Sequence, residues 1–360
     1  MISVVVGTRP EIIKMGPIVL ELQKRDMEFD IVHTAQHYDM ELSAVFFDDL
    51  GLPAPTHTLD VGSGSQAEQT AEALRKLEGT FEETAPSVVL VEGDTNTVLA
   101  GALAAAKMGI DVGHVEAGLR SHDLRMPEEH NRRLTDHLSS LLFAPTETAK
   151  ENLERENVWG RIWVTGNTVI DACMTFMRTA EEKSEVLDRV RFDEFSLATA
   201  HRKENVDDPE VLSHLVEIFT ECPVPVVYPV HPRAVKMLKE FHLYEKLSES
   251  KNVQLLPPVG YLDFLLLMRE CEFILTDSGG IQEEATSPNI RKKVFVLRIS
   301  TERPEAVEAG YAEVVGTGSG DVLSAVGRYL EKREALAGPS PYGDGKSSEE
   351  IVSILREKPS

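Results

Sequence analysis

Cysteine is scarce in this sequence. The three present, Cys173, Cys222 and Cys271, stand far apart, which leaves no disulfide framework and no Cys-x-x-Cys metal pair. Reduced thiols in a cytoplasmic protein are the expectation. No apolar run approaches the length of a membrane span. The chain opens directly on the strand-like ISVVVG, with no basic region or cleavage site, so neither a signal peptide nor a membrane partner is expected. Positive charge is short as well: 37 Lys and Arg stand against 60 Asp and Glu, a formal net charge of -23. That balance argues against a nucleic-acid partner. It leaves room for an anionic small substrate where a cleft gathers local Arg and Lys. Also missing is the dinucleotide fingerprint Gly-x-Gly-x-x-Gly, which the first strand–loop–helix segment does not carry.

What remains is a chain of 360 residues, 42% of them hydrophobic. That is too long for one ordinary core and rich enough to bury sheets, so two domains are expected. The organising stretch is FILTDSGGIQEEA at 273–285. Phe273 to Leu275 end a buried strand, Asp277 to Gly280 break it, and Ile281 to Ala285 open a helix with Glu283 and Glu284 in its first turn. Free N–H groups at a helix start and a positive dipole end suit an anion, and glycines admit phosphate close to the backbone. Glu284 is placed to accept bonds from ribose hydroxyls. A nucleotide-linked substrate is the first expectation.

The same plan recurs along the first half. Strand Ile2 to Val6 leads through Gly7-Thr8-Arg9-Pro10 into a helix from Glu11 to Lys24, with Pro10 suited to its first turn. Arg9 in the loop and Lys14 in the second helical turn can face an anion. Further strands are expected at 29–34, 87–91, 110–114 and 141–144, and helices at 66–77 and 97–107. Asp94 follows the strand at 87–91 and Glu116 the strand at 110–114. Pro127 starts a helix whose first turn holds Glu128 and Glu129; their spacing to Arg132 and Arg133 also allows plain helical ion pairs. Strands alternating with helices imply an α/β fold with a parallel, doubly wound sheet. Ligands of such sheets bind beyond the carboxyl ends of the strands, where Arg9, Asp94 and Glu116 fall.

In the second half, strands at 195–199, 224–230, 253–256, 293–297 and 312–315 repeat the pattern. The domain crossing is placed at Gly166-Asn167, giving domains 1–166 and 167–341. His201 and Arg202 follow one strand and Arg303 follows another. Histidine titrates near neutral pH and can bond phosphate or sugar. PPVGYLDF at 257–264 is a rigid loop suited to framing a flat base. Ala337 to Gly345 are rich in Gly and Pro, and a last helix, within 342–360, is expected to pack back on the first domain.

These motifs resemble those of the non-hydrolysing UDP-N-acetylglucosamine 2-epimerases over nearly the whole chain. They are VGTRPEIIK at 6–14, EGDTNT at 92–97, HVEAGLR at 114–120, MPEEHNR at 126–132, HRKEN at 201–205, TDSGGIQEEA at 276–285 and TERPE at 301–305. The resemblance implies two facing Rossmann-like domains of glycosyltransferase-B-like architecture with the substrate cleft between them. It also implies a homodimer and no nicotinamide cofactor; no metal or other cofactor is expected. By resemblance, Asp94, Glu116 and Glu128 match the catalytic carboxylates and His201 the catalytic-site histidine. Arg9, Lys14 and Arg303 match substrate-cleft positions. Ser278, Gly279, Gly280 and Glu284 match the UDP cradle, and Phe264 the uracil-binding segment.

The implied reaction is epimerisation at carbon 2 of a UDP-sugar, from N-acetylglucosamine to N-acetylmannosamine. The carbon-2 proton has no adjacent carbonyl and is not acidic. Elimination to a 2-acetamidoglucal, in which a base takes that proton as UDP leaves carbon 1, followed by re-addition of UDP, avoids a free carbanion. It needs carboxylates as acid and base and cations to hold the departing UDP. A hydrolysing epimerase that releases UDP, an enzyme for a diacetamido sugar, a glycosyltransferase and a non-catalytic UDP-sugar regulator stay open as alternatives. Two features depart from the family pattern. Asp39 and Glu68 stand where members activated by a second UDP-sugar carry Gln and Arg, although Gln36, His37 and Gln69 are present. The segment SPNIRKK at 287–293 is longer and more basic than the usual turn.

Overall fold

The computed structural model describes residues 1–35, 40–332, 336 and 338–357, with residues 40–44 described by backbone alone. Gln36, His37, Asp39, Ala337 and the last three residues of the expected terminal segment lie outside the described residues. Among the described residues thirteen strands run in chain order: β1 Ile2–Val6, β2 Phe29–His33, β3 His57–Thr58, β4 Val88–Glu92, β5 Asp111–Val115, β6 Leu141–Ala144 and β7 Arg161–Val164. They continue with β8 Ser196–Thr199, β9 Val226–Pro229, β10 Val253–Leu256, β11 Phe273–Thr276, β12 Lys293–Val296 and β13 Ala312–Val314.

The strands form two wholly parallel sheets. One has the order β3-β2-β1-β4-β5-β6-β7 and the other β10-β9-β8-β11-β12-β13. Every residue of β1, β4 and β11 is buried, as expected for strands covered by helices on both faces. Counted from its own first strand, the second sheet repeats the 3-2-1-4-5-6 order of the first. Each sheet therefore reverses its winding beside that strand, between β1 and β4 and between β8 and β11, and ligands of doubly wound sheets bind there. The short β3 has no apolar run to announce it; its pairing with β2, His57 to Val32 and Thr58 to His33, defines it.

Two compact units result: Met1–Ala172 with the chain from Tyr342 onward, and Cys173–Pro341. The division falls inside helix Thr168–Lys183. In the first unit the returning tail is tied by polar bonds. Asn167 N–H donates to Tyr342 C=O at 2.8 Å. Buried Asp171 accepts from Ser348 N–H at 2.7 Å, Ser348 Oγ at 2.6 Å and Ser347 N–H at 3.3 Å. Asp171 thus caps helix Ser347–Glu357 from a distant segment, satisfying first-turn N–H groups that the tail itself leaves open. That helix lies on helix Arg9–Lys24, where Arg25 donates to Ser353 Oγ at 2.8 Å.

Helix Gln66–Thr84 runs beyond Leu77, ending at Ala85 in the left-handed region (φ 46°). Ser65 and Glu68 form its capping box, Glu68 N–H to Ser65 Oγ at 3.3 Å and Ser65 N–H to Glu68 Oε2 at 2.9 Å. The larger change concerns Gly279–Glu284, a six-residue helix that starts two residues before Ile281. Glu283 and Glu284 close that helix instead of opening it. So short a helix carries a weak dipole, and any anion contact there relies on individual N–H groups.

Candidate functional site

In the first unit the functional side chains gather beyond the carboxyl ends of β1, β4 and β5. Helix Arg9–Lys24 follows the β1 loop and points Lys14 inward. Its Nζ lies 2.9 Å from Glu92 Oε1 and 2.5 Å from Glu116 Oε2. Asn167 Nδ2 donates to the same Glu116 oxygen at 3.1 Å. Glu116 is 8% exposed and adopts φ 68°. A non-glycine residue in that left-handed region costs roughly 1 kcal/mol or more, so the surrounding contacts hold a carboxylate in a conformation it would not choose.

The loop that carries Glu116 is braced from below by Asp136, itself fully buried. Its Oδ1 lies 2.6 Å from His114 Nδ1, while its Oδ2 accepts from Arg120 Nη2 at 2.7 Å and Gly118 N–H at 3.2 Å. Gly118 takes φ 84°, and a Cβ there would sit 2.3 Å from Ala149 C=O, so only glycine fits.

Asp94 is bridged to helix Pro127–Leu138. Arg132 Nη2 reaches Asp94 Oδ2 at 2.5 Å and Arg132 Nη1 reaches Glu129 Oε2 at 3.3 Å. Asn131 Nδ2 donates to Asp94 C=O at 2.9 Å. The possible Glu128–Arg132 helical pair does not form, because Arg132 turns to Asp94 and Glu129; Glu129–Arg133 does form, at 3.2 Å. Among the described residues Glu128 has no ion-pair partner, and it stays half-buried in the first helical turn. Arg9 is exposed at the start of its helix, 5.7 Å from the centre of the Phe46 ring.

Glu11, in the same GTRPE motif, was given no role by the sequence. Its carboxylate accepts from Gly7 N–H at 2.6 Å and Thr8 Oγ1 at 2.9 Å. Burial pushes it up to about 7 against those hydrogen bonds, and Asp94 adds to the rise. A carboxyl raised in the fold binds its proton more tightly there than in the unfolded chain. Its stabilising contribution is full below about pH 4.5 and is lost as pH rises through 7, on the order of 3 kcal/mol. Urea unfolding at pH 5 and pH 8 tests this. Glu11→Gln, always neutral, is expected to lose less stability than the natural protein over that interval; parallel losses would contradict the assignment. The baseline cost of the amide cancels in the comparison.

In the second unit, a cavity of about 220 Å³ opens beyond β8 to β11, lined by residues that include His201, His231, Pro258, Val259 and Phe264. Its walls are ring and aliphatic surface with two imidazoles, whose ring centres lie 6.1 Å apart. Buried Asp277, just past β11, fixes the 201–205 loop. It accepts from His201 N–H at 3.0 Å, Arg202 N–H at 2.9 Å and Asn205 Nδ2 at 3.2 Å, and lies 3.1 Å from His201 Nδ1. Burial alone would raise Asp277, but the His201 contact and those N–H donors hold it below the usual carboxylate range.

Ser278 stands at the N-cap of the short helix, and Gly279 and Gly280 open its first turn. A Cβ at Gly280 would have no protein atom within 4 Å, so the backbone there is approachable. Glu284 is half-buried beside Tyr261 and Cys173, whose own burial, with the Glu284 charge adding, pushes both groups up. Arg303 Nε lies 2.6 Å from Glu283 Oε1, both buried, so this cation braces the short helix. The basic loop 287–293 is a structural tie: Asn289 Nδ2 donates to Cys173 C=O at 2.9 Å, Arg291 to Leu336 C=O, and Lys293 Nζ to Gly310 C=O at 3.0 Å.

Each unit thus brings together its own part of the expected set: Lys14, Asp94, Glu116 and the start of the Glu128 helix in the first, His201, Phe264 and the 278–284 turn in the second. Sequence reasoning passed over Glu11, Glu92, Asp136, Asn167 and Asp277. Glu92 and Asp277 lie inside quoted motifs and were legible as acids at strand ends; Glu11 also lies in a quoted motif, with local partners, Gly7 and Thr8; Asp136 and Asn167 show only through long-range contacts. Among the described residues no cluster of His, Cys, Asp and Glu is arranged to hold a metal ion, and no helix is long and apolar enough to cross a membrane.

Comparison with known proteins adds an independent finding. A family model described as UDP-N-acetylglucosamine 2-epimerase matches residues 20–356. A protein of that name from Methanocaldococcus jannaschii is 47% identical, with 98% of both chains covered. A UDP-2,3-diacetamido-2,3-dideoxy-D-glucuronate 2-epimerase from Pseudomonas aeruginosa is 37% identical, covering 98% of this chain and 99% of its own. The Methanocaldococcus jannaschii crystal structure in complex with UDP-GlcNAc and UDP aligns with TM-score 0.87 at 46% identity over 99% of both chains. That of a Neisseria meningitidis UDP-GlcNAc 2-epimerase bound to UDP-GlcNAc aligns with TM-score 0.88 at 37% identity, covering 99% of this chain and 100% of that one.

Proposed function

The chain belongs to the UDP-N-acetylglucosamine 2-epimerase family, and from that premise we propose that it interconverts UDP-N-acetylglucosamine and UDP-N-acetylmannosamine by elimination and re-addition of UDP. The observation that carries this reading is Glu116, a carboxylate held on left-handed backbone at a strand end with Lys14 and Asn167 on one oxygen. One oxygen is thereby occupied and the carboxylate oriented, which suits a group that exchanges a proton with carbon 2.

Asp94 and Glu128 act on the same sugar. Arg132 fixes Asp94, while Glu128, without an ion-pair partner among the described residues, keeps its carboxylate for proton exchange. Arg9 contacts the diphosphate. In the second unit the cavity takes the uracil with Phe264 against its face, the N–H groups at 278–280 bind phosphate, Glu284 binds ribose, and His201 sits at the sugar end. Arg303 acts by holding the 278–284 turn. The reading extends to a homodimer in the cytoplasm, which the family resemblance supports.

Base stacking on an aromatic side chain contributes about 1–3 kcal/mol. Phe264→Ala is therefore expected to raise the Kd for UDP by roughly fivefold or more, measured by calorimetry. An unchanged Kd would remove Phe264 from the uracil site. Product analysis from UDP-N-acetylglucosamine tests the reaction itself: UDP-N-acetylmannosamine is expected, and release of free UDP with N-acetylmannosamine would place the chain on the hydrolysing branch.

A further inference from the structure

Lys14 touches two carboxylates, and only one of them has a role so far. Glu92 closes β4, is 1% exposed, and puts Oε1 2.9 Å from the ammonium that also serves Glu116. Among the described residues, the charged groups that weigh most on Glu92 are Lys14 from the first helix, Glu116 from the end of β5 and Glu11 from the first helical turn. One cation among three buried acids leaves an excess of negative charge in a low-dielectric site. Such an excess is relieved when an acid keeps its proton.

The geometry selects which. Glu116 Oε2 receives both Lys14 and Asn167, an arrangement that favours its ionised form. Glu11, itself pushed up to about 7 by burial, takes the Gly7 and Thr8 donors and relieves the excess only below neutral pH. Glu92 is the most deeply set of the three and shares its donor.

We propose that Glu92 is a positioning residue which holds a proton and shares Lys14 with Glu116, keeping Glu116 ionised and oriented for the reaction. This rests on the reading of Glu116 as a catalytic carboxylate. Burial, opposed by Lys14 and reinforced by the Glu116 and Glu11 charges, also pushes Glu92 well above the usual carboxylate range. When Glu92 ionises at higher pH, the single ammonium is divided between two charges. Glu116 then binds protons more tightly and is held less firmly by the shared ammonium. The pair titrates as a unit, and the rate falls with the second proton.

The test is the pH profile of kcat/KM for the natural protein, Glu92→Gln and Glu92→Asp. Glu92→Gln stays neutral at every pH. It is expected to lower kcat two- to fivefold at pH 7 with KM nearly unchanged, and to carry the upper limb of the profile at least one pH unit higher. Glu92→Asp restores a titrating group and is expected to bring that limb back toward its natural position. A Glu92→Gln profile that superimposes on the natural one overturns the proposal. Glu116→Gln separates the two readings: if it keeps full turnover, the catalytic assignment fails first. Should both Glu92 variants fail to fold, carboxyl carbon-13 titration of the natural protein decides. Two glutamate signals that each move in both steps support the shared ammonium, and independent single-step titrations overturn it.

Discussion

Glu116→Gln is expected to lower kcat by about a hundredfold to ten-thousandfold while leaving UDP binding within about twofold, since a positioned acid–base group contributes roughly that much to a rate. Glutamine keeps the length of the side chain and a carbonyl oxygen for Lys14 and Asn167, so the loop need not rearrange. What it loses is the ability to take and return a proton. In the proposed reading uridine is held by the second unit's cavity, whose lining includes Pro258, Val259 and Phe264 and not Glu116. The kinetic pattern should therefore be a fall in kcat and kcat/KM together, with little change in ground-state binding. Asp94→Asn is expected to behave alike, with one difference: Arg132, 2.5 Å from Asp94, keeps Glu129 at 3.3 Å as its remaining acidic partner. Full turnover in either variant would remove that residue from the chemistry.

The largest effect on stability is expected at Asp136. Its two oxygens serve His114, Arg120 and Gly118 N–H, all buried. Asp136→Ala leaves the Arg120 guanidinium with Glu156 and Leu119 C=O and strands the Gly118 N–H. Removing one member of a buried ionic network costs about 3–5 kcal/mol. Because the chain forms two units, a single unfolding free energy is not well defined. The expected result is an earlier denaturant midpoint for the first unit, monitored by Trp163, stacked on Phe143 in that unit, with loss of catalysis at lower denaturant than loss of UDP binding. An unchanged first transition would show that Asp136 is dispensable to the loop.

Much of the architecture was readable because parallel, doubly covered strands are short apolar runs bounded by turn residues. ISVVV, LLFA and FILT announce themselves. The two-residue β3 did not, since its place depends on pairing with β2 and not on its own composition. The start of the helix at 279 was misplaced because glycine has poor helical propensity, while Gln282 braces the turn locally to Ser278 C=O and accepts a tertiary bond from Thr301 Oγ1. In the site, residues at strand ends were legible from topology alone, which is how Asp94, Glu116 and His201 emerged. The braces were not. Asp171 caps a helix 176 residues away in the chain, and Asp277 reaches back 76 residues to His201. A buried acid of this kind looks like any surface acid until its neighbours are known. The helical spacing of Glu128 and Arg132 pointed to a pair that competition from Asp94 prevents.

The central claim is reversible elimination with carbon 2 exchanging its proton while UDP is off the sugar. Proton NMR of UDP-N-acetylglucosamine with the protein in heavy water, without added NAD, tests it most directly. The expected result is loss of the carbon-2 proton signal, appearance of UDP-N-acetylmannosamine deuterated at carbon 2, and UDP still attached in both sugars at equilibrium. Formation of the epimer with its carbon-2 proton retained would contradict the account.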